Sequence, residues 1–303
     1  MMKKFCFFLL FFLLAVLLIS CFSLRRKAIL HKEIKRYLCY YGKGKLDSLA
    51  NFDLVIISPE NYSPEKISFL SRRGTIVVGY ISVGEDETLQ LGDRKGPGGY
   101  ASWYLDYFQG RGTGKKGSDG KPDQNEEWGS YFVNLNNRLW LKHTLKKAFL
   151  ILDQDKCDGL FLDTVLYPEE YPDKLRKKFR RRIIYLVKKI RRKYPSAYLL
   201  INDQGVFLEG LGRYINGVMY EDFTAVFEKH PPEELRWIDQ EAKEINKRRN
   251  KLKKRIDVFT LDYAKEDDVP LINFCYNRAR EFGFIPSVSG KDKKGIWLNV
   301  IYE

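Results

Sequence analysis

The chain has 303 residues, 53 Lys and Arg against 39 Asp and Glu, and a net charge of +14; 44% of it is hydrophobic. That apolar content excludes a disordered chain, and its length suits one large core better than several small ones. Five cysteines, none in a CxxC pair, exclude a zinc knuckle and a thioredoxin-type motif.

The first residues form a targeting signal. Lys3 and Lys4 precede an apolar run from Phe5 to Ile19, which is short for a spanning helix. Leu18-Ile19-Ser20-Cys21 closes the run in the manner of a bacterial lipobox. Residues 1–20 are then a lipoprotein signal, Cys21 a lipidated N-terminus and 21–35 a tether. An ordinary signal peptide or a lone anchor helix are the other readings. With Cys6 in the signal and Cys21 lipidated, Cys39, Cys157 and Cys275 remain, each beside an apolar run and expected to be buried and inert.

From residue 36 onward short apolar runs alternate with helical patterns. Strands are predicted at 37–41, 54–58, 76–83, 159–163, 198–202, 217–221, 258–262 and 284–288. Helices are predicted at 64–73, 138–153, 174–193, 232–254 and 269–282. Runs apolar along their whole length fit parallel strands covered on both faces, and eight with intervening helices give a (β/α)8 barrel. Most of the runs stop at an acidic or amide residue, and barrels of this class keep their active site at strand C-termini.

Residues 88–130 form a long insertion after the third strand. Its Gly110–Gly117 stretch lacks the strand-to-helix setting of a phosphate loop. Its aromatics, Trp128 among them, either stack on sugar rings or pack on one another. The helix at 174–193 has one apolar and one very basic face. It is read first as a solvated outer helix and second as a membrane-surface contact; nothing in the chain points to nucleic acid.

Asp158-Gly-Leu-Phe-Leu-Asp163 and Asn216-Gly-Val-Met-Tyr-Glu221 share one pattern: Asx, Gly, three apolar residues, carboxylate. Equal phase on alternate strands points Asp163 and Glu221 into the same mouth. Their expected separation, about 5 to 9 Å, is the range used by glycosidase carboxylate pairs. Capping or structural ion pairing is the competing reading. Only His31, His143 and His230 exist and none ends a strand, so neither a zinc site nor a histidine-based triad is expected. A carboxylate-bound Mg²⁺ is the remaining metal alternative but has no specific signature, and no metal ligand is assigned. No cofactor is expected.

The run Val78–Glu85, the Asp158–Asp163 strand, Tyr220-Glu221 and Leu261-Asp262-Tyr263-Ala264 resemble family 114 of the glycoside hydrolases, the endo-α-1,4-polygalactosaminidase-like barrels. The resemblance spans most of residues 37–290 and implies a (β/α)8 barrel hydrolysing an α-linked amino-sugar polymer. It places Asp163 and Glu221 on the family's catalytic acids; Thr164 stands where the family often has Asn. Tyr80, Glu85, Trp128, Asn202, Asp203, Asp262 and Tyr263 are expected to line the cleft. The expectation is a lipid-anchored hydrolase of the cell envelope or exterior, or a carbohydrate-binding lipoprotein on the same barrel.

Overall fold

A computed structural model describes residues 32–110 and 112–290. The signal, most of the tether and Cys21 lie outside the described residues. Eight strands form one parallel sheet in chain order: β1 (Tyr37–Tyr40), β2 (Leu54–Ile57), β3 (Ile76–Ser82), β4 (Gly159–Asp163), β5 (Tyr198–Asn202), β6 (Gly217–Val226), β7 (Asp257–Tyr263) and β8 (Ile285–Ser289). The sheet curls until β8 lies beside β1, making a nearly closed (β/α)8 barrel.

The outer helices are α1 (Leu46–Leu49), α2 (Pro64–Arg72), α3 (Arg138–Asp153), α4 (Asp173–Lys193), α5 (Leu208–Leu211), α6 (Pro232–Asn250) and α7 (Val269–Glu281). Local chemistry starts them: Pro64 opens α2, and the side chains of Asn137 and Asp268 accept backbone N–H bonds at the heads of α3 and α7. The basic helix α4 turns Phe179, Ile183, Leu186, Val187 and Ile190 onto the sheet. Each such burial contributes roughly 1.5–3 kcal/mol, which explains why so charged a segment holds its place.

Alternation along the strands divides the core in two. One set, including Tyr37, Cys39, Phe161, Leu200, Met219 and Phe259, fills the lumen. The other, including Leu38, Leu160, Leu199, Val218 and Val258, meets the helices. Cys39, Cys157 and Cys275 are free and buried.

Two glycines near the strand N-termini, the foot of the barrel, are obligatory. A Cβ on Gly159 would stand 2.0 Å from the Tyr198 carbonyl. One on Gly217 would stand 2.8 Å from the Phe259 ring and 3.0 Å from the Asp257 carbonyl. Both strands are thus drawn close to their neighbours four residues before Asp163 and Glu221.

The predicted strands match to within one residue, except that β6 runs on to Val226. Helix α6 stops at Asn250 rather than 254, because the chain turns there to pack Leu252 on Gly212. The one-turn helices α1 and α5 are too short to show a period. The insertion is built on two small ribbons, Glu85–Asp86 with Tyr131–Phe132 and Phe108–Gln109 with Lys115–Lys116. Its Trp103, Tyr104 and Phe108 are buried, Trp103 against Trp140 and His143 and Phe108 against Tyr171, and the Asp123 carboxylate accepts from the Tyr107 and Phe108 amides and the Tyr171 hydroxyl. The insertion is therefore packed on itself and on the barrel beneath it, with Trp128 the aromatic it contributes to the cleft.

Candidate active site

A cleft of about 620 Å³ opens at the strand C-termini. Asp163 ends β4, Asn202 ends β5 and Glu221 lies on β6; all three are in the inward phase of their strands, and the register of β4 on β5 sets Asp163 beside Asn202. The Asn202 amide nitrogen donates to Asp163 Oδ1 at 2.9 Å and to Glu221 Oε2 at 2.8 Å. One neutral donor thus joins the two carboxylates. The Tyr263 hydroxyl donates to the other Glu221 oxygen, Oε1, at 2.5 Å, and Tyr80 hydrogen-bonds Asp163.

Burial at the cleft floor pushes the Asp163 carboxyl up; Asn202 and the Thr164 amide pull it down, and the Glu85 charge raises it again. Burial also raises Glu85, opposed by Ser130 and Asn125 and reinforced by the Glu127 charge. Tyr80 and Tyr263 are raised well above the ordinary tyrosine value, by burial first and by Asp163 and Glu221 next, so both stay neutral donors.

Thr164 has φ of +54°, a strained setting for a β-branched residue. Its Oγ1 accepts the Val83 and Gly84 amides at 3.0 and 2.9 Å. The residue after Asp163 thereby fixes the chain leading to Glu85, which meets Asn125 and Ser130 of the insertion.

Tyr80, Glu85, Trp128, Asp163, Glu221 and Tyr263 line the cleft, and Asn202 bridges the carboxylate pair. Asp203 and Asp262 do not reach it. Each follows or precedes an inward residue, Asn202 or Tyr263, and alternation turns it away. Asp203 is buried behind β5, accepting the Gly205 and Phe207 amides at 3.0 and 2.6 Å. Asp262 is buried outside β7, accepting the Thr224 and Ala225 amides, where β6 departs from its register on β7 between Glu221 and Val226. It holds the chain just beyond Glu221 rather than a ligand.

The structure adds Tyr41 and Ser58 just past the ends of β1 and β2, Glu60 and Asn61 after β2, Glu87 at the start of the insertion's stem, and Asn125 and Glu127 from the insertion. Inward phase gives a sequence signal for Tyr41 and Ser58; the loop residues had none. Among the described residues six carboxylates line the cleft (Glu60, Glu85, Glu87, Glu127, Asp163 and Glu221), and no Lys, Arg or His does. Among the described residues no group of three or more His, Cys, Asp or Glu is arranged to hold a metal ion.

The profile of glycoside-hydrolase family GH114 matches residues 27–299. An uncharacterised protein of Methanocaldococcus jannaschii is 26% identical over 286 residues, covering 84% of this chain and 75% of its own. The glycoside hydrolase domain of PelA from Pseudomonas aeruginosa superposes with a TM-score of 0.67 at 20% identity, over 88% of this chain and 99% of that one. Ega3 from Aspergillus fumigatus, solved with galactosamine, gives 0.56 at 12% identity, over 84% and 91%. These two likenesses concern the fold.

Proposed function

Because the chain belongs to glycoside-hydrolase family GH114, we propose that it cleaves an α-linked amino-sugar polysaccharide with Glu221 as general acid and Asp163 as its partner. The observation that carries this reading is the carboxylate pair joined by Asn202 at the floor of a cleft whose charged lining, among the described residues, is acidic. Protonated amino groups are drawn to such a cleft despite the net charge of +14, because local charge governs a bound ligand more than the distant total. The galactosamine bound to Ega3 is in keeping with that class of ligand.

The two bonds to Asn202, end to end, cap the separation of the bonded oxygens at about 5.7 Å. That favours the retaining geometry, about 5–5.5 Å, over the 6.5–9.5 Å that leaves room for an inverting water. Protonated Glu221 gives its proton to the departing glycosidic oxygen while Asp163 bonds to the anomeric carbon. Glu221, now ionised, takes a proton from water as the water oxygen displaces Asp163, returning both groups to their starting states. The Tyr263 hydroxyl orients Glu221, and Tyr80 with Asn202 stabilises Asp163 as an anion.

The enzyme is proposed to act outside the cytoplasm, held by lipid on Cys21; mass spectrometry of the membrane fraction tests that, and a mature chain with Cys21 absent or unmodified refutes it. For catalysis, Asp163→Asn and Glu221→Gln should each lower release of reducing ends from a polygalactosamine by about 10² or more. Asp222→Asn should cost much less. Near-full activity in both carboxylate variants overturns the assignment.

A further inference from the structure

Charge in this molecule is sorted by end. The foot of the barrel comprises residues 32–36, 50–53, 72–75, 153–158, 191–197, 211–216, 250–257 and 280–284. These segments expose twelve Lys and Arg side chains against three acidic ones. The opposite end holds the cleft, with six carboxylates and no base in its lining among the described residues. A hollow of about 700 Å³ opens on the foot, lined in part by Arg249, Lys253, Lys254 and Arg255, with Glu33 and Asp257. Burial has already pushed Lys254 down to about 8, so an anion arriving there would restore a favourable setting for its charge.

The described chain also enters at the foot. Lys32 donates to the Gly74 carbonyl at 2.7 Å and pairs with Asp53 at 3.0 Å, both in foot connections. Upstream, residues 22–31 separate it from Cys21, the proposed lipid site. Ten residues span at most about 35 Å, so a lipid anchor on Cys21 keeps the foot near the headgroups.

We propose that the foot of the barrel is a docking face for an anionic lipid bilayer, which aims the catalytic cleft away from the membrane. The inference rests on the lipid anchor proposed for Cys21, and on no feature of the catalytic reading. Positive side chains spread over a whole face suit a planar anionic surface, whose potential acts within a Debye length. The flank of α4 is also basic, through Lys174, Lys178, Arg181 and Lys189, and would lay the barrel on its side; the entry point of the chain favours the foot.

The test uses residues 29–303, which keep every described strand, helix and core contact and lack Cys21, so binding does not depend on the lipid anchor. Binding is measured by co-sedimentation with vesicles of phosphatidylcholine alone or mixed with phosphatidylglycerol. The expected result is at least about tenfold tighter binding to the mixed vesicles, weakened by salt. The combined variant Arg72→Gln, Arg192→Gln, Arg213→Gln, Lys253→Gln should lose most of that preference. Lys174→Gln, Lys178→Gln, Arg181→Gln, Lys189→Gln, equal in charge removed, should lose far less. Equal binding to both vesicle types by the unmodified barrel overturns the proposal without recourse to any variant. So does a flank variant that loses as much as the foot variant. Hydrolysis of a soluble substrate should be unchanged in both, which separates this test from that of the carboxylate pair.

Discussion

Replacing Asn202 with Ala removes the donor shared by Asp163 and Glu221 and leaves both carboxylates otherwise in place. A hydrogen bond to a charged group contributes about 1.5–3 kcal/mol. The bond to Asp163, at 2.9 Å, favours its ionised form. Without that bond the Asp163 carboxyl rises further, because burial is then less opposed. Asp163 must be ionised to attack, so the acid limb of kcat/KM should move to higher pH. The second bond, 2.8 Å to Glu221, is lost as well, so turnover on the plateau should fall by about 10- to 100-fold through poorer positioning. The assay is release of reducing ends from a soluble amino-sugar polymer across the acid range, with thermal melting as a control for folding. An acid limb that stays in place in a folded Asn202→Ala protein would refute the shared-donor reasoning.

Two further outcomes follow from the buried acids and from the turn after β3. Burial pushes Asp203 up to about 7 and Asp262 to about 6, against the backbone amides that each accepts. Between about pH 4 and 7 the folded chain therefore keeps protons that the unfolded chain releases. Stability from these groups should be full below pH 4 and decline as pH rises through that window, by up to about 1.4 kcal/mol per unit for each group. Urea unfolding of the parent and Asp203→Asn measures it: the variant should show the shallower decline, and identical slopes would count against the assignment. A Cβ on Gly84 would lie 2.1 Å from the Thr164 carbonyl and 3.1 Å from the Tyr167 ring. Gly84→Ala should cost about 1–3 kcal/mol and reduce activity by displacing Thr164 and Glu85; a melting curve and turnover like the parent's would refute it.

The barrel was legible because each of its strands is covered on both faces and so announces itself as an unbroken apolar run. Asp163 and Glu221 were legible because the two strands share a phase. The same rule, applied to neighbours, would have removed Asp203 and Asp262 from the cleft. Asn202 and Tyr263 point inward, and a residue adjacent to an inward one on a strand points out. The pattern of acids at strand ends mixed two populations: inward groups for ligand, and outward groups that tie down the turns. The acidic rim was less readable. Glu60, Glu87 and Glu127 sit on loops with no period, and only the path of the chain brings them to one opening. The insertion's aromatics were ambiguous for a similar reason, since their burial depends on Asp123 and Tyr171, which are far apart in sequence.

Gly159 and Gly217 bear on how this site can fail. Each stands four residues, about 13 Å of strand, before its carboxylate, and each lets its strand sit closer to a neighbour than any side chain would allow. They act as the zero marks of two rulers on which Asp163 and Glu221 are graduations. A methyl group at either mark would push the strand aside and move a carboxylate relative to Asn202, with nothing altered in the cleft itself. In a mutational scan of activity, defects at these two positions would map to the far end of the barrel from the substrate, and would read as losses of turnover rather than of binding.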